Sequence, residues 1–373
     1  MLTRQKVVTY GIPTVAAATI AIAAGLTMGH PDTTKPLDTL VPQPVEVGNG
    51  HAVDVVFAID TTGSMGGLIK GAKETVWSIA TRVKQIDPQA DVRIGLVAYR
   101  DIGDDYVTKD FPLSSDLDQV FANLSGLKAD GGNDIPEDVD AGLYDAVHKM
   151  PWRANAKKMI FVVGDAPPAT RGDVPSYEVT AREAAGMQIS VNAIRAGWDV
   201  STQTTFSQMA MLGNGEFSTI SQDGGVQQVA TPYDAKMAEL SRAVDATAVI
   251  IGDDGVRAGY AQKMEAGSAA PPAAMADRAT FYGSKGRDKA DIVGTGAAIE
   301  TIAPSALPAD LRGMTKEGLR TELDHRGATR KAAQQEIERL SKQREEYLKT
   351  NAKDSDTAFD AKVKKTVEKA MTK

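Results

Sequence analysis

Three oxygen-bearing side chains follow the first apolar run of the chain at a spacing of two residues: Asp60, Thr62 and Ser64. A turn with this spacing can direct one carboxylate and two hydroxyl groups at a single point. Such hard oxygen ligands with little total charge suit an octahedral Mg²⁺ that retains water or a ligand from outside the protein. The stretch therefore predicts an open metal site. The alternative interpretation is an Asx turn in which Asp60 caps the next helix.

Two later loops carry the further oxygens that a cation needs. Asp165 follows the apolar run MIFVVG, and Asp134 precedes a segment of helical period. Because the carboxyl ends of parallel strands meet at one edge of a sheet, we expect these side chains near Asp60. Both also fit capping roles, Asp165 in the loop before Pro167 and Asp134 in a capping box with Glu137. Carboxylates buried at a sheet end are costly without a cation, so the metal interpretation explains more of these residues.

The elements that would position these loops alternate along the chain. From Ala52 to about Gly252, apolar runs alternate with helix-period segments, which predicts an α/β fold with a doubly wound, mostly parallel sheet and helices on both faces. The predicted strands are Val53–Ile59, Arg93–Tyr99, Val107–Leu113, Met159–Val163, Ile189–Ile194 and Glu216–Ile220. The predicted helices are Gly67–Lys84, Ser115–Leu124, Pro136–Lys149, Ser176–Ala185, Thr202–Leu212 and Ala235–Ala246. We assign residues 51–252 to this domain.

The N-terminal residues are typical of an export signal. Arg4 and Lys6 precede a run from Val7 to Gly29 that contains no charge, and Ala21-Ile22-Ala23 matches the pattern of a cleavage site. Residues 1–29 are therefore interpreted as a cleaved signal peptide or as a membrane anchor through residues 7–29, and the proline-rich residues 30–50 as a linker. Both interpretations predict a protein in the periplasm or on the outer face of the cytoplasmic membrane.

Two segments follow the predicted domain. Residues 253–310 are rich in Gly, Ala and Pro without a sustained period, which predicts a partly disordered linker. Residues 311–373 predict a helical tail, whose second helix carries an apolar stripe at Phe359, Val363, Val367 and Met371. The tail is interpreted as a solvated helical hairpin or as a coiled coil that self-associates.

Composition excludes several classes of function. The net charge of −7 argues against a nucleic-acid partner, and the absence of cysteine excludes disulfides and thiolate chemistry. No second Asp-Thr-Gly completes an aspartic-protease pair, and no phosphate-binding loop follows a strand. Ser64 and the four histidines form no nucleophile and base motif. The sequence therefore favours binding over catalysis.

The segment Asp60-Thr61-Thr62-Gly63-Ser64 resembles the Asp-x-Ser/Thr-x-Ser signature of the metal-ion-dependent adhesion site (MIDAS) of von Willebrand factor type A (vWA) domains. The resemblance covers roughly residues 52–250. The stretches GLVAYRDIGDDYVTKDF, ADGGNDIPEDVDAGLYDAV, LGNGEF and ATPYDAKMAELSRAVD are similar to a bacterial subgroup of exported vWA proteins with a C-terminal helical stretch.

The resemblance implies the ligand set position by position. Asp60, Thr62 and Ser64 correspond to ligands of the first loop, and Asp165 to the ligand of the last. The family's middle loop usually supplies a threonine; here the loop has none, so Asp134 or the preceding asparagine would take its place. A carboxylate there would make the metal less electrophilic toward an acidic ligand.

The function implied by the resemblance is metal-dependent binding. A Mg²⁺ ion, or Mn²⁺ or Ca²⁺, would bind a Glu or Asp of a protein partner in the cell envelope, while the surrounding loops determine specificity. The alternative is an envelope scaffold that acts through its C-terminal helices and carries a vestigial metal site.

Overall fold

The computed structural model describes residues 50–132, 136–169, 172–226, 229–283, 288–297, 299–351 and 358–372. The predicted signal segment and the linker up to residue 49 lie outside the described residues, as does Asp134. Among the helices that are described, none combines the length and apolar character needed to cross a membrane.

Six strands form one sheet in the order β3-β2-β1-β4-β5-β6. All neighbouring strands pair in parallel except β3, which is antiparallel to β2. The strands are β1 Ala52–Asp60, β2 Asp91–Tyr99, β3 Thr108–Ser114, β4 Lys157–Gly164, β5 Ile189–Ala196 and β6 Asn214–Ile220. This confirms the predicted fold class, with each predicted strand in its expected place.

Helices cover both faces of the sheet. They are α1 Gly66–Ile86, α2 Leu117–Gly126, α3 Val139–His148, α4 Tyr177–Gly186, α5 Val200–Leu212, α6 Asp234–Ala246, α7 Asp254–Ser268, α8 Pro272–Tyr282, α9 Lys316–Asn351 and α10 Phe359–Thr372. One core lies between the sheet and helices that include α1 and α2, and contains Trp77 and Phe161. A second core on the opposite face contains Leu143 of α3 and Phe206 of α5. Because side chains alternate across a strand, each central strand contributes to both cores.

Residues 253–310 differ from the prediction of a partly disordered linker, because they contain α7 and α8. The side chain of Arg278 in α8 is fully buried and pairs with Asp118 at 2.6 Å and Asp245 at 2.7 Å. These carboxylates belong to α2 and α6, so α8 is tied to the domain by buried charge. The buried alanines of α8 allow close helix packing but give a weak apolar signal in the sequence.

The C-terminal helices are present as predicted, but they pack against the domain. The apolar stripe of α10, Phe359, Val363 and Val367, lies in the same core as α1. In α9, Ile337 and Leu340 are buried in a cluster shared with α6 and α8. The side chains on which the solvated hairpin and the coiled coil were predicted are therefore buried within this chain.

Candidate metal site

The first loop is built around Asp60, the last residue of β1. Its Oδ1 atom accepts hydrogen bonds from the amide of Thr62 at 2.8 Å and from the hydroxyl of Thr62 at 2.7 Å. The Thr62 hydroxyl donates its proton in this bond, so its lone pairs remain able to accept or to coordinate. Asp60 and Thr62 are 0% and 2% exposed. Asp60 thus forms the predicted Asx-type contact, but only with one of its two oxygens.

The second oxygen of Asp60 has an unusual environment. Oδ2 is buried and has no hydrogen-bond partner among the described residues. Burial, with the nearby Asp165 carboxylate as a further cause, raises the pKa of Asp60 to about 7 despite the hydrogen bonds from Thr62. A buried carboxylate oxygen without a partner is costly, and a bound cation would remove that cost.

Glu137 is a site residue that the sequence interpretation assigned to a capping box. In the structure α3 begins later than predicted, and Asp138 caps it by accepting from the amide of Ala141 at 3.0 Å. Glu137 is instead extended: its amide donates to the carbonyl of Pro167 at 3.2 Å, and its carbonyl accepts from Ala169 at 2.8 Å. Its backbone therefore joins the middle loop to the loop that carries Asp165.

The side chain of Glu137 points to the same group of carboxylates. It is 4% exposed, and its Oε2 atom also has no hydrogen-bond partner among the described residues. Burial, followed by the charges of Asp60, Asp101, Asp104 and Asp165, raises the pKa of Glu137 to about 8. A pair of buried acids whose charges no described arginine or lysine compensates is typical of a functional site.

Asp165 follows β4 and is half-buried. Its Oδ2 atom accepts from Nε2 of Gln222 at 2.5 Å, and its carbonyl lies 3.1 Å from the hydroxyl of Thr202. The loops after β4, β5 and β6 therefore converge on Asp165. Its carboxylate lies close enough to that of Asp60 to contribute to the raised pKa of Asp60, which supports the prediction that the two acids lie together.

The other predicted ligands have different positions. Ser64 lies in a short 3-10 turn, Gly63–Met65, and is exposed, so its hydroxyl faces solvent at the edge of the site. Asp134 lies outside the described residues. Among the described residues, no three acidic or histidine side chains converge closely enough to form a metal cluster alone. A cation between Asp60 and Asp165 would therefore need hydroxyl groups and water as well.

The surrounding backbone holds the first loop against the middle loop. The amide of Thr61 donates to the carbonyl of Tyr99 at 2.9 Å, and the amide of Asp130 donates to the carbonyl of Thr61 at 3.1 Å. Arg100 is buried and braces both segments, donating to the carbonyls of Thr61 at 3.2 Å and Lys128 at 2.8 Å. Arg100 therefore acts as a structural brace between the first loop and the middle loop.

Gly132 permits a close approach of the middle loop to Thr62 in the first loop. Its φ is +70°, and a Cβ atom there would lie 2.7 Å from Cβ of Thr62 and 3.0 Å from Oε1 of Glu137. Only glycine allows both the positive φ and the contact. The carboxylate and hydroxyl oxygens of the site fit a hard divalent cation, because Oδ2 of Asp60 and Oε2 of Glu137 have no other partner among the described residues.

Residues 54–231 match the family model for the von Willebrand factor A domain. Together with the sheet topology, this match shows that this part of the chain is a vWA domain. The match ends before α6, so the helices that follow lie outside it.

Two curated relatives share this region. The alpha-protein kinase vwkA of Dictyostelium discoideum is 30% identical over 120 residues, which are 31% of this chain and 19% of the kinase. The putative ariadne-like RING finger protein R811 of Acanthamoeba polyphaga mimivirus is 32% identical over 121 residues, 32% of this chain and 12% of that protein. The chain thus spans only a small part of each relative.

A similar solved structure is proximal thread matrix protein 1 from the mussel byssus with a zinc-occupied MIDAS motif. It is 18% identical, the alignment covers 47% of this chain and 42% of that chain, and the TM-score is 0.37.

Proposed function

We propose that this chain is an exported binding protein whose vWA domain holds a divalent cation and captures an acidic residue of a protein partner in the cell envelope. The observation that carries the proposal is the unpartnered Oδ2 of Asp60, an oxygen of a fully buried carboxylate that lies near Asp165 and Glu137. A cation compensates this charge, and vWA domains commonly mediate metal-dependent adhesion and protein interaction.

The residues that would hold the cation come from three loops. Asp60, Thr62 and Ser64 belong to the first, and Asp165 to the last. Glu137 is a described carboxylate of the middle loop whose charge interacts with that of Asp60, and Asp134, outside the described residues, stays a predicted ligand. When bound, the cation supplies a Lewis-acidic position for an oxygen ligand. Mg²⁺ suits this oxygen set best, with Mn²⁺ and Ca²⁺ as alternatives.

Binding rather than catalysis follows from the groups present. The described residues of the site offer carboxylates and hydroxyls, and none of its described loops contains a histidine. Two ionised carboxylates, Asp60 and Asp165, would balance the charge of a divalent cation, so its attraction for a further carboxylate would be moderate. A reversible contact with a protein partner fits this balance.

The proposed location rests on the sequence. The uncharged run Val7 to Gly29 after Arg4 and Lys6 supports export, with the domain in the periplasm or anchored to the outer face of the cytoplasmic membrane.

Calorimetric titration of the full chain with Mg²⁺, Mn²⁺ and Ca²⁺ tests the proposal. Saturable binding is expected in the wild type and no binding in Asp60→Asn, because that variant removes the central ligand. Asp105→Asn is the matched control, since Asp105 is 86% exposed in the loop after β2. If Asp60→Asn and Asp105→Asn lost the same amount of cation binding, cations would bind only to diffuse surface charge, and the proposal would be wrong.

The partner is sought with the metal-loaded chain as bait. The same envelope protein should be recovered with Mg²⁺ and with Asp105→Asn, but neither with EDTA nor with Asp60→Asn. Recovery that is unaffected by EDTA would contradict a metal-dependent contact.

A further inference from the structure

An exposed aromatic side chain lies beside the candidate metal site. Trp198 is 86% exposed, and Val200 is 72% exposed. Both follow β5, whose carboxyl end is next to that of β4, the strand that leads to Asp165. Tryptophan is enriched among the residues that dominate binding energy in protein interfaces. Its exposure at this edge therefore indicates a contact surface.

The segment that carries Trp198 is fixed by hydrogen bonds. The amide of Gly197 donates to the carbonyl of Ile220 at 3.1 Å. Asp199 caps α5 by accepting from the amide of Thr202 at 2.6 Å, and Arg195 donates to the carbonyl of Asp199 at 2.9 Å. The indole is thus presented from a rigid backbone, which lowers the entropy cost of binding.

A second apolar side chain lies on the other side of the site. Ile102, in the loop between β2 and β3, is 50% exposed. The strand order places β1 and β4 between β2 and β5. Three strand spacings separate β2 from β5, or about 14 Å. The candidate metal site is therefore flanked by apolar groups at a distance that a short peptide segment can span.

The loops around the candidate metal site are strongly acidic. The exposed carboxylates among their described residues are Asp105, Asp130, Asp173, Asp199 and Asp223. The described part of these loops contains one exposed cation, Lys128. A purely acidic partner would be repelled by this surface, whereas basic residues would be attracted to it and to the face of an indole ring.

We infer that the partner segment combines three chemical features: an acidic residue for the metal, lysine or arginine residues beside it, and an apolar side chain that packs against Trp198. The inference rests on the proposed function, because the acidic residue is the metal ligand. It adds the charge and the apolar contact that distinguish this partner from other acidic segments.

Selection from a library of short random peptides on the immobilised full chain with Mg²⁺ tests the inference. The selected peptides should have net positive charge, contain an acidic residue and carry at least one large apolar residue. Trp198→Ala should weaken their binding by about tenfold or more. Met211→Ala is the matched control, because Met211 is also exposed, at 69%, but lies near the far end of α5.

Tryptophan fluorescence gives a second measurement on the same peptides. The chain has three tryptophans; Trp77 is fully buried and Trp152 is half-buried. A change of emission on peptide binding that disappears in Trp198→Ala would therefore place the peptide at this surface.

Three results would overturn the inference: no enrichment, a selected pool of net negative charge, or equal binding to wild type and Trp198→Ala. The experiment distinguishes failure of this inference from failure of the proposed function. Peptides that bind equally with EDTA and to Asp60→Asn would refute the metal-dependent contact, and with it the acidic feature of the inferred segment. Metal-dependent binding without a role for Trp198 would refute the inference alone.

Discussion

Asp54 and Asp60 lie on the same strand, and both are 0% exposed, yet their electrostatic environments are opposite. Burial acts to raise the pKa of Asp54, but hydrogen bonds from Arg93 and Arg153 outweigh it and hold that pKa below its ordinary value. For Asp60, burial raises the pKa to about 7.

The difference lies in the counter-charge that each of the two acids has within the chain. Asp54 pairs with Arg93 at 3.0 Å and with Arg153 at 2.7 Å. Asp60 has hydrogen bonds from Thr62 but no cationic partner on the described chain. Asp54 thus has its counter-charge within the chain, while no described residue supplies one for Asp60.

The largest expected effect comes from neutralising the two acids in turn. Asp54→Asn removes the charge of a fully buried carboxylate that pairs with Arg93 and Arg153, and should lower the free energy of unfolding by about 3–5 kcal/mol. Asp60→Asn removes a repulsive charge and should leave the metal-free stability unchanged or slightly higher. Urea unfolding in EDTA measures both. A large loss of stability in Asp60→Asn would show that Asp60, like Asp54, stabilises the metal-free fold.

Addition of Mg²⁺ should stabilise the folded protein only when Asp60 is present. At a Mg²⁺ concentration of about one hundred times the dissociation constant, the wild type should gain about 2.7 kcal/mol. Asp60→Asn should gain nothing, and the control Asp105→Asn should respond like the wild type. Thermal unfolding with and without Mg²⁺ measures the gain. A gain in Asp60→Asn would place the cation elsewhere.

The pH dependence of the metal-free protein should follow the site acids. The pKa values of Asp60 and Glu137 are raised to about 7 and 8, whereas in the unfolded chain both groups titrate in their ordinary range. The folded state therefore binds more protons between about pH 4 and pH 8, so the free energy of unfolding decreases as pH rises through this window. The stabilising contribution is fully present below the ordinary pKa values.

We expect the free energy of unfolding to decrease by at least about 2 kcal/mol between about pH 5 and about pH 8.5, because each unit of pKa difference between the folded and unfolded chain corresponds to about 1.4 kcal/mol. Urea unfolding in EDTA at the two values measures it. Asp60→Asn should reduce the loss, and Mg²⁺ should restore stability more at the higher pH. Stability that rises with pH across this range in EDTA would show that the two acids are already compensated.

The smallest expected effect concerns loop geometry. Gly132→Ala places a Cβ atom 2.7 Å from that of Thr62 and should weaken Mg²⁺ binding by about fivefold, or about 1 kcal/mol. Gly103→Ala is the matched control, since Gly103 has a φ of +101° but no atom within 4 Å of the point where a Cβ atom would lie. Calorimetry on both variants measures the difference. Equal losses would assign the effect to backbone strain alone.

The fold was predictable because its signal is local. Apolar runs such as Met159–Val163 and the helical period of the segments between them fix element type, and the parallel sheet follows from their alternation. The position of Asp60 at the end of β1 is confirmed for the same reason.

The features that the sequence did not predict depend on contacts between residues that are far apart in the chain. Glu137 sits in a sequence that fits a capping box, and only the bridge to Pro167 turns its carboxylate toward Asp60. The helix α8 has a weak apolar pattern, and its anchor is Arg278, whose partners Asp118 and Asp245 are far away in sequence. Local patterns carry no information about such pairs. The exposure of Trp198 likewise depends on the loop geometry after β5.

The position of α10 also bears on how the chain reaches its folded state. Its Phe359 lies with Phe57 of β1 in one core, and Arg82 pairs with Glu368 across 286 residues of sequence. Contacts of such long range slow folding, because the loop between them must close first. Until α10 arrives, the face of the sheet and α1 that it covers is exposed and prone to aggregation. In a newly made chain this apolar face therefore stays uncovered until α10 has been synthesised and packs against it.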